Sequence, residues 1–214
     1  MRVDIFVDVV CPWCFIGKRR LERALTMRPE LPIQTAWRPF ELNPDMPAGG
    51  VPSEQFYVEK FGSAELVKER RGVVIDIGKS VGIDFAFDRI ETQPNTLDAH
   101  RLIRHALKRG RGDSVVEALF SAYFIDGRNV GDHATLAAIA GEAGLDVGEA
   151  REFLDGEAER DTILHEESEA RRIGVSAVPC YIFDQQYAVA GAQEPEFFLP
   201  IFDLVKTGTV PAAT

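Results

Sequence analysis

Two cysteines separated by Pro12 and Trp13 constrain this chain more than any other feature of its sequence. Cys11 and Cys14 directly follow the apolar run of residues 3–10, which predicts a buried strand, and they directly precede a helical pattern. The pair therefore lies where a strand leads into the first turn of a helix. Unpaired backbone N–H groups and the helix dipole favour a thiolate at that position. The sequence predicts a redox dithiol in which Cys11 is the nucleophile.

The residues within and after the pair support this interpretation. Pro12 suits a first helical turn, because it has no N–H to leave unpaired and its φ is already helical. Trp13 adds apolar surface and no charge. Cys14 follows nearly one turn later, close enough to attack a mixed disulfide on Cys11 and release the bound partner. Cys14 is therefore predicted to be the resolving cysteine.

The same four residues are also compatible with a zinc half-site, a structural disulfide or two inert core cysteines. Zinc needs four ligands, and the remaining candidates are Cys180 and four histidines. They add no second C-x-x-C, and His100 and His105, five residues apart, do not share one face of a helix. We therefore expect no metal.

The amino-acid composition argues against some classes of binding partner. The 214 residues include 24 Lys and Arg against 34 Asp and Glu, for a net charge of −10. Nucleic acid and anionic membranes both require a basic surface, so neither is an expected partner. Three cysteines do not make a disulfide framework, and Met1 leads straight into a strand without a leader pattern. We expect a cytoplasmic protein that is a monomer or a homodimer.

Two β-rich ends enclose a long helical middle. A helix at about 12–27 and a strand at about 33–40 complete the first end, and the turn-rich segment 43–52 marks a boundary. Helical patterns separated by glycines then continue to about residue 173. Strands at 178–183 and 187–190 form a hairpin, followed by a closing helix at about 194–207.

Pro179 is out of place in this strand pattern. A proline in a central strand removes a ladder hydrogen bond, so it marks an edge, a bulge or a tight turn. One solution is a cis peptide bond between Val178 and Pro179, because the cis form is accessible almost only before proline.

The chain resembles the DsbA-like proteins, and more closely the FrnE-like branch with its relatives, the 2-hydroxychromene-2-carboxylate isomerases and the kappa-class glutathione transferases. Six segments carry the resemblance in the expected order: Cys-Pro-Trp-Cys-Phe-Ile-Gly-Lys at 11–18, Phe-Glu-Leu-Asn-Pro at 40–44, Asn-Thr-Leu-Asp-Ala-His-Arg-Leu at 95–102, Leu-Phe-Ser-Ala-Tyr-Phe at 119–124, Gly-Val-Ser-Ala-Val-Pro at 174–179 and Gly-Ala-Gln at 191–193. The resemblance implies an α/β thioredoxin fold with a large all-helical insertion between the second and third strands. Residues 1–50 and 171–214 then form the thioredoxin domain, and residues 51–170 form the insertion.

The resemblance also implies an active site. It places a cis Pro179 beside Cys11 and leaves the backbone of Val178 open to pair with an extended substrate peptide. Relatives that use glutathione for isomerisation or conjugation carry serine at the position of Cys11, so two cysteines favour disulfide chemistry. In those relatives the segments that hold Asn95, Thr96 and Gln193 lie near the thiol-binding cleft. Their structural alternatives here are a helix cap and a strand-to-helix loop.

Four further polar features carry predictions. A buried Asp8 could take the proton of Cys14, although a solvated or loop-capping aspartate is commoner. Cys180 is expected to face the core as a small apolar residue, with a third redox thiol as the alternative. His100 is expected on a helix surface or at a helix cap. The acidic segment 157–169 predicts a solvated helix face.

Together these features predict a cytoplasmic thiol:disulfide oxidoreductase that acts on protein or small-thiol disulfides. Its cofactor is the dithiol itself, and glutathione remains open as a co-substrate. A rival enzyme is a glutathione-dependent transferase or isomerase of a small aromatic or electrophilic substrate. A rival from another class is a holdase-like protein that binds unfolded chains in an apolar groove around Trp13 and Val178.

Overall fold

The computed structural model describes residues 1–207 of the chain, with side chains as far as residue 204. The strands are β1 (Arg2–Val7), β2 (Gln34–Pro39), β3 (Val51–Pro52), β4 (Thr92–Gln93), β5 (Cys180–Phe183) and β6 (Tyr187–Ala190). The helices are α1 (Pro12–Thr26), α2 (Ser53–Phe61), α3 (Ala64–Ser80), α4 (Leu97–Leu107), α5 (Gly112–Phe124), α6 (His133–Glu142), α7 (Val147–Asp155), α8 (Arg160–Arg172) and α9 (Pro195–Thr207).

A four-stranded sheet in the order β2-β1-β5-β6 carries the two ends of the chain. β1 runs parallel to β2 and antiparallel to β5, and β5 and β6 form the predicted hairpin. Ile5 lies between Trp37 and Tyr181 in this register. Alternate apolar residues of β1 therefore lie on the same face of the sheet as the residues opposite them on β2 and β5. This shared apolar face fixes the register of the three strands.

The predicted first strand ends three residues later than the strand in the structure. β1 ends at Val7, because the chain turns at Asp8 before α1 begins. The amide of Cys11 donates to the carbonyl of Asp8 at 3.0 Å, and the amide of Val10 donates to its carboxylate at 3.4 Å. This turn carries the dithiol from the end of β1 to the start of α1.

Helices α2 to α8 lie between β2 and β5 in the sequence, so the insertion between the second and third strands of the sheet is confirmed. The insertion is not entirely helical, because β3 and β4 pair antiparallel over two residues. Phe15 of α1 stacks on Phe120 of α5 with ring centroids 5.1 Å apart, which joins the insertion to the sheet layer in one apolar core. The last seven residues of the predicted segment 171–214 lie outside the described residues.

Two other predicted elements have different limits. The strand predicted at 178–183 begins only at Cys180, since Val178 and Pro179 form a loop before it. The acidic segment 157–169, predicted to be helical, enters a helix only at Arg160. In the described part of the chain, no helix is long and apolar enough to cross a bilayer.

Candidate active site

The two cysteines of the dithiol occupy different environments at the start of α1. Cys11 is the residue that precedes the helix, and the amide of Cys14 donates to its carbonyl at 3.0 Å. The side chain of Cys11 retains 5% exposure, whereas Cys14 has none. All three cysteines of the chain are free thiols in the structure. Of the two thiols in the pair, Cys11 is therefore the one that an incoming disulfide can reach.

The loop before β5 completes the wall around Cys11. The Val178–Pro179 peptide bond is cis, and the thiol of Cys11 donates to the carbonyl of Val178 at 3.7 Å. Gly17 of α1 allows this loop to come close. A Cβ at Gly17 would overlap the hydroxyl of Tyr181 and lie 2.9 Å from Cγ of Pro179. The absence of a side chain at Gly17 therefore brings the helix and the loop together.

Cys14 is held as a thiol by its surroundings. Burial raises the pKa of Cys14 well above its ordinary value, and the adjacent Cys11 thiol raises it further. The backbone of Asp8 opposes this shift, whereas the charge of the Asp8 carboxylate adds to it. Cys14 therefore needs a nearby group that accepts its proton before it can act as a nucleophile.

Asp8 is a buried carboxyl group next to the dithiol. Its Oδ2 accepts from the amide of Leu42 at 2.7 Å, and the side chain of Thr96 also bonds to it. Burial outweighs these hydrogen bonds and raises the pKa of Asp8 to about 6. A carboxyl group with that pKa can both take and return a proton near neutral pH.

His100 lies beside Asp8, with 3.8 Å between its Nε2 and Oδ1 of Asp8. Its ring is buried, and Nε2 has no hydrogen-bond partner among the described residues. Burial lowers the pKa of His100 to about 3, so the ring is neutral. The predicted surface or cap position of His100 is wrong, because His100 lies inside α4, which buries polar positions as well as apolar ones.

Two glutamates extend this buried acidic cluster. The amide of Glu41 donates to Oε1 of Glu167 at 2.9 Å, and both side chains are buried. Burial and then the charge of Glu167 raise the pKa of Glu41 to about 8, and burial raises the pKa of Glu167 to about 7. The predicted solvated face of segment 157–169 is therefore wrong at Glu167, since α8 packs against β2 there.

A cavity of about 420 Å³ opens beside Cys11, between the start of α1 and helices α2 and α3. Its apolar wall consists of Val10, Pro12, Trp13, Leu42, Tyr57, Phe61, Val73, Val74 and Phe87. Lys60, Arg70 and Arg71 complete the lining. The cavity therefore combines a reactive thiol, an apolar wall and basic side chains.

The three residues predicted near a thiol-binding cleft separate in the structure. Asn95 caps α4 by accepting from the amide of Leu97 at 3.0 Å, and its Nδ2 donates to the carbonyl of Met46 at 2.9 Å. Thr96 lies against Asp8. Gln193 donates to the carbonyl of Ala190 at 2.9 Å within its own loop. Only Thr96 is thus brought into the buried cluster by these contacts, and thiol binding by Asn95 and Gln193 stays a prediction.

Cys180 is buried at the start of β5, opposite Phe6 of β1 and Ala190 of β6. Burial raises the pKa of its thiol. Its redox role stays a prediction. Within the described residues, no cluster of three or more His, Cys, Asp or Glu side chains is arranged to hold a metal ion.

The fold and the site define a thioredoxin-like protein with a helical insertion, and comparison with known proteins gives its family. Residues 2–202 match the DSBA-like thioredoxin domain family, to which this chain belongs. The predicted DsbA-like membership is therefore confirmed.

Individual proteins are also similar to this chain in sequence or structure. The structure of a Streptomyces coelicolor protein described as a "probable DsbA oxidoreductase" has a TM-score of 0.91 and 30% identity, covering 100% of this chain and 93% of its own. The Bacillus subtilis protein YwbO is 25% identical over 95% of this chain and 96% of its own length. DsbM of Pseudomonas aeruginosa, described as a cytosolic disulfide reductase and solved with GSH, shares the fold at a TM-score of 0.67 and 16% identity, covering 97% and 98% of the two chains.

Proposed function

We propose that this protein is a thiol:disulfide oxidoreductase in which Cys11 is the nucleophile and Cys14 resolves the mixed disulfide. The observation that carries the proposal is the asymmetry of the pair. One thiol is at the cavity and bonded to the Val178 carbonyl, and the other is sealed beneath it beside a carboxyl group whose pKa is raised.

The reaction follows from this arrangement. The thiolate of Cys11 attacks one sulfur of the substrate disulfide, so a Cys11–substrate bond forms and the original S–S bond breaks. The second substrate sulfur leaves and takes a proton from water. Cys14 then attacks Cys11, the remaining substrate thiolate leaves, and a Cys11–Cys14 disulfide forms. Two electrons have passed to the substrate.

Asp8 is the proposed proton acceptor for Cys14. Its carboxyl group is buried next to the dithiol, and its raised pKa matches the task of holding a proton during the resolving step. Thr96 positions the carboxyl group by a side-chain hydrogen bond.

The proposed setting is the reducing cytoplasm, and the proposed substrates are protein or peptide disulfides. Three cysteines do not make a disulfide framework, and the P. aeruginosa protein of the same fold is described as a cytosolic disulfide reductase solved with GSH. Two molecules of a small thiol such as glutathione would together return two electrons to the Cys11–Cys14 disulfide and become one disulfide. The reverse sequence oxidises a dithiol, and the reduction potential of the pair sets the direction.

The test is a redox titration. The purified protein is equilibrated with graded glutathione buffers, its thiols are trapped, and the modifications on each cysteine are counted by mass spectrometry. We expect a reversible two-electron couple on Cys11 and Cys14, at about −120 to −270 mV. A persistent glutathione adduct on Cys11 without such a couple would instead support the transferase or isomerase.

Variants separate the remaining alternatives. Cys180→Ala is expected to leave the couple unchanged, and a shifted potential would assign the third thiol to the redox site. Replacing both Cys11 and Cys14 by serine is expected to abolish disulfide exchange. If the double variant instead keeps its activity by binding unfolded chains, the protein is a holdase.

A further inference from the structure

We propose that the cavity beside Cys11 binds an acidic, apolar stretch of a substrate polypeptide, so that the preferred disulfides are those whose cysteine is flanked by apolar and then acidic side chains. This inference rests on the proposed function and adds the class of substrate to it.

Several apolar side chains that line the cavity are exposed to solvent. Trp13, Leu42 and Val73 line the cavity and are 37%, 38% and 52% exposed. Large apolar side chains scattered singly on a surface need no explanation. These three lie around one opening that also contains Cys11, and a contiguous exposed apolar surface marks a binding site.

The charge of the opening is opposite to that of the chain. Lys60, Arg70 and Arg71 line the cavity of a protein whose net charge is −10. Arg71 pairs with Glu54 at 3.0 Å. A basic opening on an acidic protein attracts anionic ligands and repels cationic ones.

Lys60 and Arg70 have no acidic partner within 4.0 Å among the described residues. Instead, the Lys60 ammonium lies 5.3 Å from the ring centroid of Phe56, and the Arg70 guanidinium lies 4.7 Å from that of Phe61. The aromatic rings hold these cations at the rim without neutralising them. Two positive charges are therefore available to an incoming carboxylate.

The Val178 carbonyl argues for a polypeptide rather than an isolated small acid. In the reduced protein this carbonyl accepts from the Cys11 thiol. When Cys11 forms the mixed disulfide, its S–H donor is lost and the carbonyl becomes available to a backbone N–H of the substrate. Such pairing holds an extended chain across Cys11, while the cavity takes the neighbouring side chains. The volume of about 420 Å³ is within the ordinary range for ligand pockets, roughly 300 to 1,000 Å³.

The experiment uses two peptides that differ only in charge. Each carries one cysteine with a leucine and a phenylalanine beside it, blocked as a disulfide with the same chromogenic thiol, followed by two glutamates or by two lysines. The second-order rate of thiol release by the reduced protein is measured at low and high salt. We expect the glutamate peptide to react about tenfold faster at low salt, with the preference reduced at high salt.

Charge-reversal variants assign the preference to the cavity. Lys60→Glu and Arg70→Glu are expected to remove or invert the preference between the peptides. Lys68→Glu is the matched control, because Lys68 is exposed on the same helix as Arg70 but does not line the cavity. It is expected to keep the wild-type ratio.

The outcomes separate this inference from the proposed function. Equal rates for the two peptides, with an intact redox couple, would overturn the substrate class and leave the oxidoreductase standing. Absence of both reactions and of the couple would overturn the proposed function. If Arg70→Glu slows the reaction with glutathione disulfide but not with the glutamate peptide, the cavity serves a small acidic disulfide and the polypeptide assignment is wrong.

Discussion

At the scale of single residues, the two thiols of the dithiol differ in their access to solvent. Cys14 is fully buried and its pKa is raised by burial, while Cys11 keeps some exposure. In the folded, reduced protein we expect iodoacetamide at pH 7 to modify Cys11 at least about tenfold faster than Cys14. Peptide mass spectrometry after a time course measures this. Equal rates in the folded protein, matching those of the urea-unfolded chain, would contradict the asymmetry.

Replacing Asp8 by asparagine changes the rate at which Cys14 resolves a mixed disulfide, and the direction of the change depends on the role of Asp8. If it accepts the Cys14 proton, Asp8→Asn slows resolution of a mixed disulfide by about 10- to 100-fold above pH 6 and removes the titration near pH 6 from the rate profile. If Asp8 acts only through its charge, the substitution makes the Cys14 thiolate easier to form, because that charge raises the Cys14 pKa. Resolution then becomes faster. Stopped-flow measurements between pH 5 and 8 on a Cys11 mixed disulfide distinguish the two.

Sequence reasoning reaches the residues whose signal is local. Cys11, Cys14 and the Val178–Pro179 pair stand out because a C-x-x-C at a helix start and a proline in a strand pattern are visible in a short window. Glu41 and His100 carry no such signal. Their burial depends on helices from distant parts of the chain, so a charged residue on a polar pattern looks like a surface residue.

At the scale of elements, the contact between α1 and the loop before β5 depends on Gly17. Gly17→Ala is expected to destabilise the protein and to shift the reduction potential of the dithiol, because the added methyl meets Pro179 and the buried hydroxyl of Tyr181. Gly72→Ala in α3 is the matched control, since nothing lies within 4 Å of a Cβ there. It should stabilise the protein by about 0.5 to 1 kcal/mol. Urea unfolding measures both variants.

One result of comparing the two glycine variants would contradict this prediction. If Gly17→Ala stabilises the protein as much as Gly72→Ala does, the close approach of helix and loop is not required. The potential, measured in the same glutathione buffers, reports separately on whether the Pro179 loop has moved relative to Cys11.

The sequence predicted which segments are helices and which are strands, but it predicted their first and last residues less well. The strand before the dithiol was predicted to end three residues too late, because Val9 and Val10 are apolar but lie in a turn fixed by Asp8. The acidic helix α8 was predicted to be solvated because its charges dominate its composition. Glu167 is buried because α8 packs against β2. The composition of a helix does not show which of its faces will be covered.

At the scale of the whole molecule, buried carboxyl groups should make folding depend on pH in an unusual direction. Folded Glu41 keeps its proton until about pH 8, whereas an unfolded glutamate loses it near 4.5. The folded state therefore binds more protons between these values, so this group makes stability fall as pH rises from about 4.5 to 8. Glu41→Gln removes that contribution. The variant should gain stability relative to the wild type as pH is raised from 5 to 8.5.

Urea unfolding at pH 5, 6.5 and 8.5 tests this prediction. Glu152→Gln provides the control, because Glu152 is exposed on α7, and it should follow the wild-type pH dependence. A constant difference between Glu41→Gln and wild type at all three pH values would show that Glu41 is already ionised in the folded protein.

The overall architecture could be predicted because strand, dithiol, helical middle and hairpin occur in a fixed order along the sequence. The position of the helical insertion between the second and third strands of the sheet followed from that order. The cavity could not be predicted in the same way. Tyr57, Arg70 and Trp13 come from three separate helices, and their convergence beside Cys11 is a property of the folded molecule.

The separation of Cys11 from its partner carbonyl by 167 residues has a consequence for how the protein is made. Translation at about 5 to 20 residues per second leaves roughly 10 to 30 s between the synthesis of Cys11 and that of Val178. During that interval the nascent chain presents two thiols without the loop and the C-terminal strands that enclose them. Any polypeptide that stops before β5 carries the motif without the enclosed site, so the site that we propose for disulfide exchange is complete only once the last strands have left the ribosome.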